Sequence, residues 1–402
     1  MSGGWPGDVV MKRHIVFCLV TAVMLAALTL FAAPAEEAGQ GTETLFEEKG
    51  LELGECSVKY PVLREGAAAE ELRETINDRI LEDGHVRDYL TRVSQLISGG
   101  SLQVSWSGTV MGDVFSFVMS AEGAVVNPRP AFVWTAGNID LRDGHEVTWV
   151  ELFPDPEAAR ETVEAYLEEE VAPELSAHLL NSGLTPAPEL FALNERGLLL
   201  LYPADQLSTL SDRAGDVLIP WRVVSELLDA REDGIAARIG VTKWLEMTEE
   251  NAEKIRAATA AAGALPGIPV RLGDSVQAWT DRQHLLIDPD VYEGGRLFSL
   301  EGGIFRNVFL MTDFLSESWD TSVVDGIRMD EGNLFGLVTG RTEQAAWRQL
   351  LGEPDHTVEY DEEKAEAYRT VPGSRDYYEF GGNRLQLHAN EEGVLVSVII
   401  SE

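Results

Sequence analysis

The apolar run from Ile15 to Phe31 decides what kind of core this chain has to build. Lys12 and Arg13 precede it, and Ala32, Ala33, Pro34 and Ala35 follow. A basic start, an apolar stretch and small residues in that order make a secretory signal. The run is about 17 residues, where roughly 20 are usual for a bilayer span. Residues 1–35 are therefore expected to be a signal peptide cleaved after Ala33 or Ala35, with a retained N-terminal anchor as the alternative. Cleavage removes Cys18 and leaves Cys56 as the single thiol. One thiol closes no internal disulfide, so the exported fold must stand on apolar burial. With 402 residues, 45% of them hydrophobic, the chain has material for two or three cores.

The charge narrows the partners. Against 31 basic residues stand 68 acidic ones, a net charge of −37. Such a surface repels nucleic acid and anionic lipid, so no nucleic-acid partner is expected, and membrane contact only through an uncleaved N-terminal segment. Solubility outside the cell accounts for the acidity; weak binding of divalent cations is the sharper alternative.

Residues 36–50, EEAGQGTETLFEEKG, are polar and acidic and predict a short tether. From Leu51 to about residue 230 the pattern predicts an α+β domain. LELGECSVKYPVL alternates as one strand closed by Pro61. Leu72, Ile76 and Ile80, then Tyr89, Leu90 and Val93, mark an amphipathic helix broken near Gly84. Two strands surround Met111-Gly112-Asp113, and Asp143-Gly144 turns a hairpin. Asp155 and Pro156 start a helix as N-cap and first residue. A strand pair turning near Glu195-Arg196-Gly197 and a closing strand and helix complete the unit. Residues 231–266 predict a linker helix separating two independently folded units, with Thr248 as N-cap and Gly263 and Pro266 as stops.

Several short motifs occur in a definite order: Tyr60-Pro61-Val62-Leu63, Ile76-Asn77, Asp140-Leu141 through Thr148, Leu152-Phe153, Leu201-Tyr202 and Ile219-Pro220 through Leu227. This series resembles the extracytoplasmic domain shared by RsiV-type anti-sigma factors and PdaC-type peptidoglycan deacetylases, over about 50–230. Members usually carry a Gly-Gly-Ala-His-like segment before the Asp-Leu hairpin. Here that place reads Val125-Val126-Asn127-Pro128-Arg129-Pro130, without the histidine, so its role is not carried over. Neither a sigma-binding segment nor a deacetylase catalytic domain is expected in this chain. The resemblance implies an envelope-facing recognition module.

Residues 267–402 predict a second α+β domain with antiparallel sheet, an internal repeat of helix plus β-meander. LGDSVQAW (272–279) parallels TGRTEQAAW (339–347), and 292–311 parallels 378–400. The offsets, 67 residues between Gly273 and Gly340 and 86 between Tyr292 and Tyr378, imply about 19 extra residues in the second copy. One helix with a meander cannot bury its sheet alone, whereas two side by side can. The helix running into Leu351-Gly352-Glu353-Pro354 is similar to small envelope modules of the BamE type and to tandem relatives such as the β-lactamase inhibitor protein.

No stretch spells out catalysis. His85, His145, His178, His284, His356 and His388 are scattered, without the one-turn spacing of a zinc pair. No nucleophile elbow is present, and Glu55 beside Cys56 disfavours a thiolate. Asp288-Pro289-Asp290 with Glu293 is an oxygen-rich stretch, read as a turn of solvated acids and not as a calcium loop. Gly294-Gly295, Gly302-Gly303 and Gly381-Gly382 read as hairpin turns, not phosphate cradles. Aromatic side chains stack on sugar rings or anchor protein interfaces. Trp134 and Trp149, flanking the altered hairpin, are accordingly the candidate binding pair. The expectation is a non-catalytic secreted or envelope-tethered binding protein, without metal or cofactor, for a cell-wall polymer or an extracellular protein. The alternatives are a cell-wall-acting enzyme and a membrane-anchored envelope sensor.

Overall fold

The structure is a computed structural model. It describes residues 42–95, 100–124, 131–175, 183–203, 215–229, 231, 233–241, 245–261, 263, 265–281, 286–300, 303–313 and 321–402. The expected signal or anchor lies outside them, as do Val125–Pro130, His178 and His284. Among the described residues no helix is long and apolar enough to cross a membrane. The fold is α+β with antiparallel sheets dominating.

The first sheet has five strands in sequence order: β1 Phe46–Leu53, β2 Cys56–Leu63, β3 Ser101–Met111, β4 Val114–Ala124 and β5 Ala131–Asp140. The single strand expected over 51–63 is instead a hairpin, turning at Gly54-Glu55 with Gly54 at φ +64°. Its first strand therefore takes in residues 46–50, expected to be tether. The cause is the edge position. Only Phe46 of β1 is buried, and the other seven residues face solvent, so the strand has the composition of a linker. Charged side chains along an edge also discourage pairing with other chains.

Helices α1 (Glu70–Asp83) and α2 (Val86–Gln95) cover one face of this sheet. The break falls where expected, but the left-handed turn is taken by His85 at φ 52°, while Gly84 is right-handed. Ile76, Ile80, Val86, Tyr89 and Val93 pack on Val58, Val104, Phe115, Phe117 and Met119. Full burial of each such side chain stabilises by about 1.5–3 kcal/mol. On the other face lies a three-stranded sheet of β6 (Phe191–Asn194), β7 (Gly197–Leu201) and β8 (Asp216–Pro220). Val118 meets Ala192, Leu199, Leu201 and Leu218 there. Buried polar groups fix the contact: the Leu193 amide donates to Ser116 Oγ at 2.7 Å, and Asn138 Nδ2 donates to the Phe191 carbonyl at 3.1 Å. Helix α3 (Pro156–Tyr166) starts at Asp155 as expected, the Asp side chain accepting from Ala158 N.

The stretch expected to link two units belongs to both cores. Ile235 and Ile239 of α4 (Ile235–Ile239) lie in the core around α3 and β6–β8. Ala252 and Ile255 of α5 (Glu249–Ala260) lie in the next core. Thr248 caps α5 as expected. The physical reason is ordinary amphipathicity: a helix with one apolar stripe is packed, whatever its overall polarity.

After α5, the order helix then four-stranded meander occurs twice. The first is α6 (Val276–Asp281), β9 (Leu286–Tyr292), β10 (Gly295–Leu300), β11 (Val308–Thr312) and β12 (Gly326–Met329). A small hairpin, β13 (Asn333–Leu334) and β14 (Leu337–Val338), follows. The second is α7 (Gln344–Leu351), β15 (His356–Tyr360), helix α8 (Glu362–Ala367), β16 (Gly373–Phe380), β17 (Asn383–Asn390) and β18 (Leu395–Ser401). All eight meander strands form one sheet in the order β15-β16-β17-β18-β12-β11-β10-β9. Each meander is tied to its own helix by the same backbone clasp. Gly273 N donates to Val324 O and Val324 N to Asp274 O; Gly340 N donates to Leu395 O and Leu395 N to Thr342 O. Asp274 and Thr342 are 68 residues apart, Val324 and Leu395 71 (342 minus 274, 395 minus 324). By position in the sheet β9 corresponds to β15 and β12 to β18, one strand away from the alignment of 292–311 with 378–400. Alternating hairpins look alike at a shift of one hairpin arm, so the sequence set the register wrongly.

Candidate functional site

Where α2 crosses the ends of β3, β4 and β5, the structure leaves a groove of about 430 Å³. Leu102, Ala121, Val133 and Trp134 line it, Tyr89 closes its back, and His85, Asp88 and Arg92 stand at the rim. The volume falls within the range of small-ligand sites, roughly 300–1,000 Å³. Trp134 is half-buried, its ring packed against the Val118–Leu218 cluster, and Val133 beside it is 48% exposed. His85 Nδ1 lies 3.4 Å from Asp88 Oδ2, so the two make one polar lip. Thr135 donates to the Gly84 carbonyl at 3.2 Å and pins the helix break against β5.

The two candidate tryptophans are not brought together in one site. Trp149 belongs to the core around α3. Its Nε1 donates to the Pro156 carbonyl at 3.2 Å, and its ring lies 4.6 Å from Phe153, 5.7 Å from Phe191 and 5.7 Å from the Arg160 guanidinium. Trp149 works as a packing and capping side chain. The rim residues of the groove were missed from sequence, because Tyr89 and Val93 read as the inner face of a helix and nothing local links that helix to β5.

The Asp140–Thr148 hairpin gathers the densest set of titratable groups. Ligand atoms of Asp140, Asp143 and His145 lie within 4.8 Å of one another. Asp140 is fully buried, yet both oxygens are taken: Arg142 Nε and Nη2 reach them at 3.2 and 3.0 Å, and Arg238 binds Oδ2 as well. Burial works against the Asp140 charge, but these guanidinium bonds outweigh it and hold the carboxyl below its ordinary value. His145 has a carboxylate on each nitrogen, Asp143 at 2.6 Å and Glu151 at 2.9 Å. Burial opposes its charge too, but the two bonds raise its affinity for the proton. With both ring nitrogens turned to these carboxylates, His145 offers no nitrogen free of a partner to a metal. The group is an ion-pair knot.

The knot explains the motif by folding. Asp140 ties the hairpin to Arg238 of α4. Gly144 turns at φ +80°, where a Cβ would meet the Thr75 methyl at 2.7 Å. Thr148 and Glu151 form a capping box for the turn Trp149–Leu152. The other motif residues act likewise. Asn77 Oδ1 accepts from Leu63 N at 2.7 Å, Tyr202 donates to the Leu184 carbonyl at 2.9 Å, and Trp221 beside Ile219-Pro220 donates to the Asn194 carbonyl at 2.9 Å.

Two other sets of charged groups are structural. Glu331 accepts from Tyr166 Oη and Arg222 on one oxygen, at 2.8 and 2.7 Å, and from Arg306 and Asn307 on the other, at 2.8 and 2.9 Å. The fully buried Arg196 donates to the Glu331 and Arg306 carbonyls. Asp376, also fully buried, accepts from Arg348 through Nε and Nη2, from Thr357 and from Trp347 Nε1. Asp288-Pro289-Asp290, expected to be a turn, runs within β9; the edge of the sheet is where a strand tolerates proline. A second, polar groove of about 470 Å³ is lined by charged side chains of both signs, Glu47, Lys49, Glu65, Arg73, Glu74 and Asp78.

No protein-family model matches the chain, and no curated protein matches it. Among solved structures the chain is similar to a DUF3298-family protein from Bacteroides fragilis. The TM-score is 0.39 and the identity 11%, over 48% of this chain and 97% of that one. A DUF3298-family protein from Pseudomonas aeruginosa gives a TM-score of 0.30 at 12% identity, over 46% and 93%. A DUF4309-family protein from Bacillus subtilis gives 0.22 at 8%, over 39% and 97%. These neighbours are bacterial, about half the length of the chain, and their names assign no activity. Scores this low do not establish a common fold.

Proposed function

We propose that this chain is an exported, non-catalytic binding protein of the bacterial envelope whose ligand occupies the groove at Trp134. The observation that carries the reading is the groove's composition: Leu102, Ala121 and the exposed Val133 on its walls, with one carboxylate, one guanidinium and one imidazole at the lip. A sugar ring presents an apolar face and a girdle of hydroxyls, and this lining matches both. A glycan of the cell wall is therefore the favoured ligand, ahead of a protein. Glycoside hydrolysis calls for two carboxyls across the bond; among the described residues this groove offers only Asp88.

The test uses mature protein, beginning after Ala35, mixed with cell-wall sacculi and with soluble wall fragments. Binding is expected, with loss of at least tenfold in Val133→Asp, a groove position 48% exposed, at unchanged thermal stability. Equal binding by the variant, or release of soluble sugar or acetate by the parent, overturns the proposal. N-terminal sequencing of envelope or medium protein checks export: a start after Ala33 or Ala35 supports it, and intact protein in the membrane fraction favours the anchor.

We also infer that the two helix–meander units descend from one ancestral unit resembling the small envelope modules of the BamE type. The equal clasps and near-equal spacing support this. The anti-sigma and deacetylase likeness of the first part stays a proposal on the motif order above.

A further inference from the structure

Helix α8 and the chain after it, residues 361–372, form a strap across the face of the eight-stranded sheet that α5 and α7 leave uncovered. Two side chains of the sheet hold it. Arg328 donates to the Tyr368 and Arg369 carbonyls at 3.3 and 2.7 Å, and His388 Nε2 donates to the Val371 carbonyl at 2.8 Å. Beneath the strap, three polar residues stand side by side on neighbouring strands: Arg375 of β16 opposite His388 of β17, and His388 opposite Ser397 of β18. They are 4%, 0% and 1% exposed. Each carries a buried polar atom without a hydrogen-bond partner: Arg375 Nε, His388 Nδ1 and Ser397 Oγ.

Unpartnered buried polar atoms are rare in folded proteins, because each costs about 1–3 kcal/mol. Three in one row across three strands share one explanation. The chemistry of the atoms specifies what satisfies them. Arg375 Nε–H can only donate. The Nε2 proton of His388 is committed to the Val371 carbonyl, so Nδ1 can only accept. A serine hydroxyl does either. A halide or phosphate accepts from Arg375 but meets the lone pair of Nδ1. A cation binds Nδ1 but is repelled by Arg375, which among the described residues has no carboxylate within ion-pair distance and rests on the Tyr360 ring at 4.6 Å. One small neutral molecule that both donates and accepts fits all three.

We propose that a single ordered water molecule is built into this fold under the strap, bonded to Arg375, His388 and Ser397. It completes the polar row and joins sheet to strap through His388, as buried waters with about three protein partners do.

Two measurements test this on the mature chain. A high-resolution crystal structure should show one density peak within hydrogen-bond distance of Arg375 Nε and His388 Nδ1. Magnetic relaxation dispersion of water should count one long-lived water fewer in Ser397→Val, whose methyls take its space. Ser397→Ala should keep that water, because the donor and the acceptor remain. The proposal is overturned if the three side chains bond directly to one another, if the space is empty, if bromide soaked into the crystal gives an anomalous peak there, or if Ser397→Val leaves the water count unchanged. Should Ser397→Val fail to fold, the crystal structure of the parent still decides.

Discussion

Glu331→Gln tests whether the two halves of the chain stand as one structure. The Glu331 side chain is 11% exposed and its partner Arg306 12%. Tyr166 and Arg222 reach it from the first half, Arg306 and Asn307 from the second. Removing one member of a buried pair costs about 3–5 kcal/mol, because the remaining charge is left desolvated. Arg222, with 36% of its side chain exposed, is screened by solvent and adds less than about 1 kcal/mol. Glutamine keeps the shape and one good acceptor, which puts the loss near 3 kcal/mol, while Glu331→Ala should lose about 4–5. In urea, a slope of about 3–4 kcal/mol/M for a chain of this size makes the Glu331→Gln shift roughly 0.7–1 M in midpoint. The parent should unfold in one transition. Tyr166→Phe alone should cost about 1–1.5 kcal/mol, and much less in the Glu331→Gln background, since the two share one hydrogen bond. The pH dependence follows. Burial opposes the Glu331 charge, but Arg306 and the hydrogen bonds hold its pKa below the ordinary value of 4.5. Its contribution is therefore complete above that value and is lost as pH falls through the folded pKa. A midpoint shift under about 0.2 M, or a parent that unfolds in two separate steps, would refute the reasoning.

Three further outcomes are expected. Burial, with Arg375 nearby, pushes His388 down from 6.5 to about 4; stability should fall by a one-proton slope from pH 6.5 to 4 and level off below, and His388→Gln should lack that slope in urea titrations at stepped pH. Burial raises Asp83 from 3.8 to about 6 despite Arg79, so at pH 7 its ionised form is a cost; Asp83→Asn should stabilise by about 1–3 kcal/mol at pH 7 and show no gain below pH 3.8, as calorimetry at both pH values would register. Trp149→Ala and Trp134→Ala should each cost about 2–4 kcal/mol of stability, because each ring packs on a buried cluster; a melting shift near zero for either variant would contradict that packing.

How far the sequence reads depends on whether the signal is local. The α1–α2 break, the Asp155 and Thr248 caps and the Asp143-Gly144 turn were legible because capping and turn chemistry act within a few residues. The motif series around Asp140 was legible as a pattern but not as a role. Only the fold brings Arg238 onto Asp140, about a hundred residues away, and so makes the hairpin an anchor. The expected parallel between the two helix starts has Gly273 and Gly340 turning alike, whereas the expected pairing of 292–311 with 378–400 is one strand away from the order in the sheet, because period two carries no register.

The sequence by itself determined the α+β class, one thiol in the portion after the apolar run, and most element starts, since composition and local hydrogen bonding decide these. Tertiary structure decided the rest. It made strand of the acidic residues 46–50, drew α4 and α5 into cores, and separated Trp134 from Trp149. It also set Arg375, His388 and Ser397 abreast. Each of these depends on which distant surfaces meet. A side chain's burial, and with it the cost of its charge or the use of its ring, is a property of that meeting and not of its neighbours in the chain.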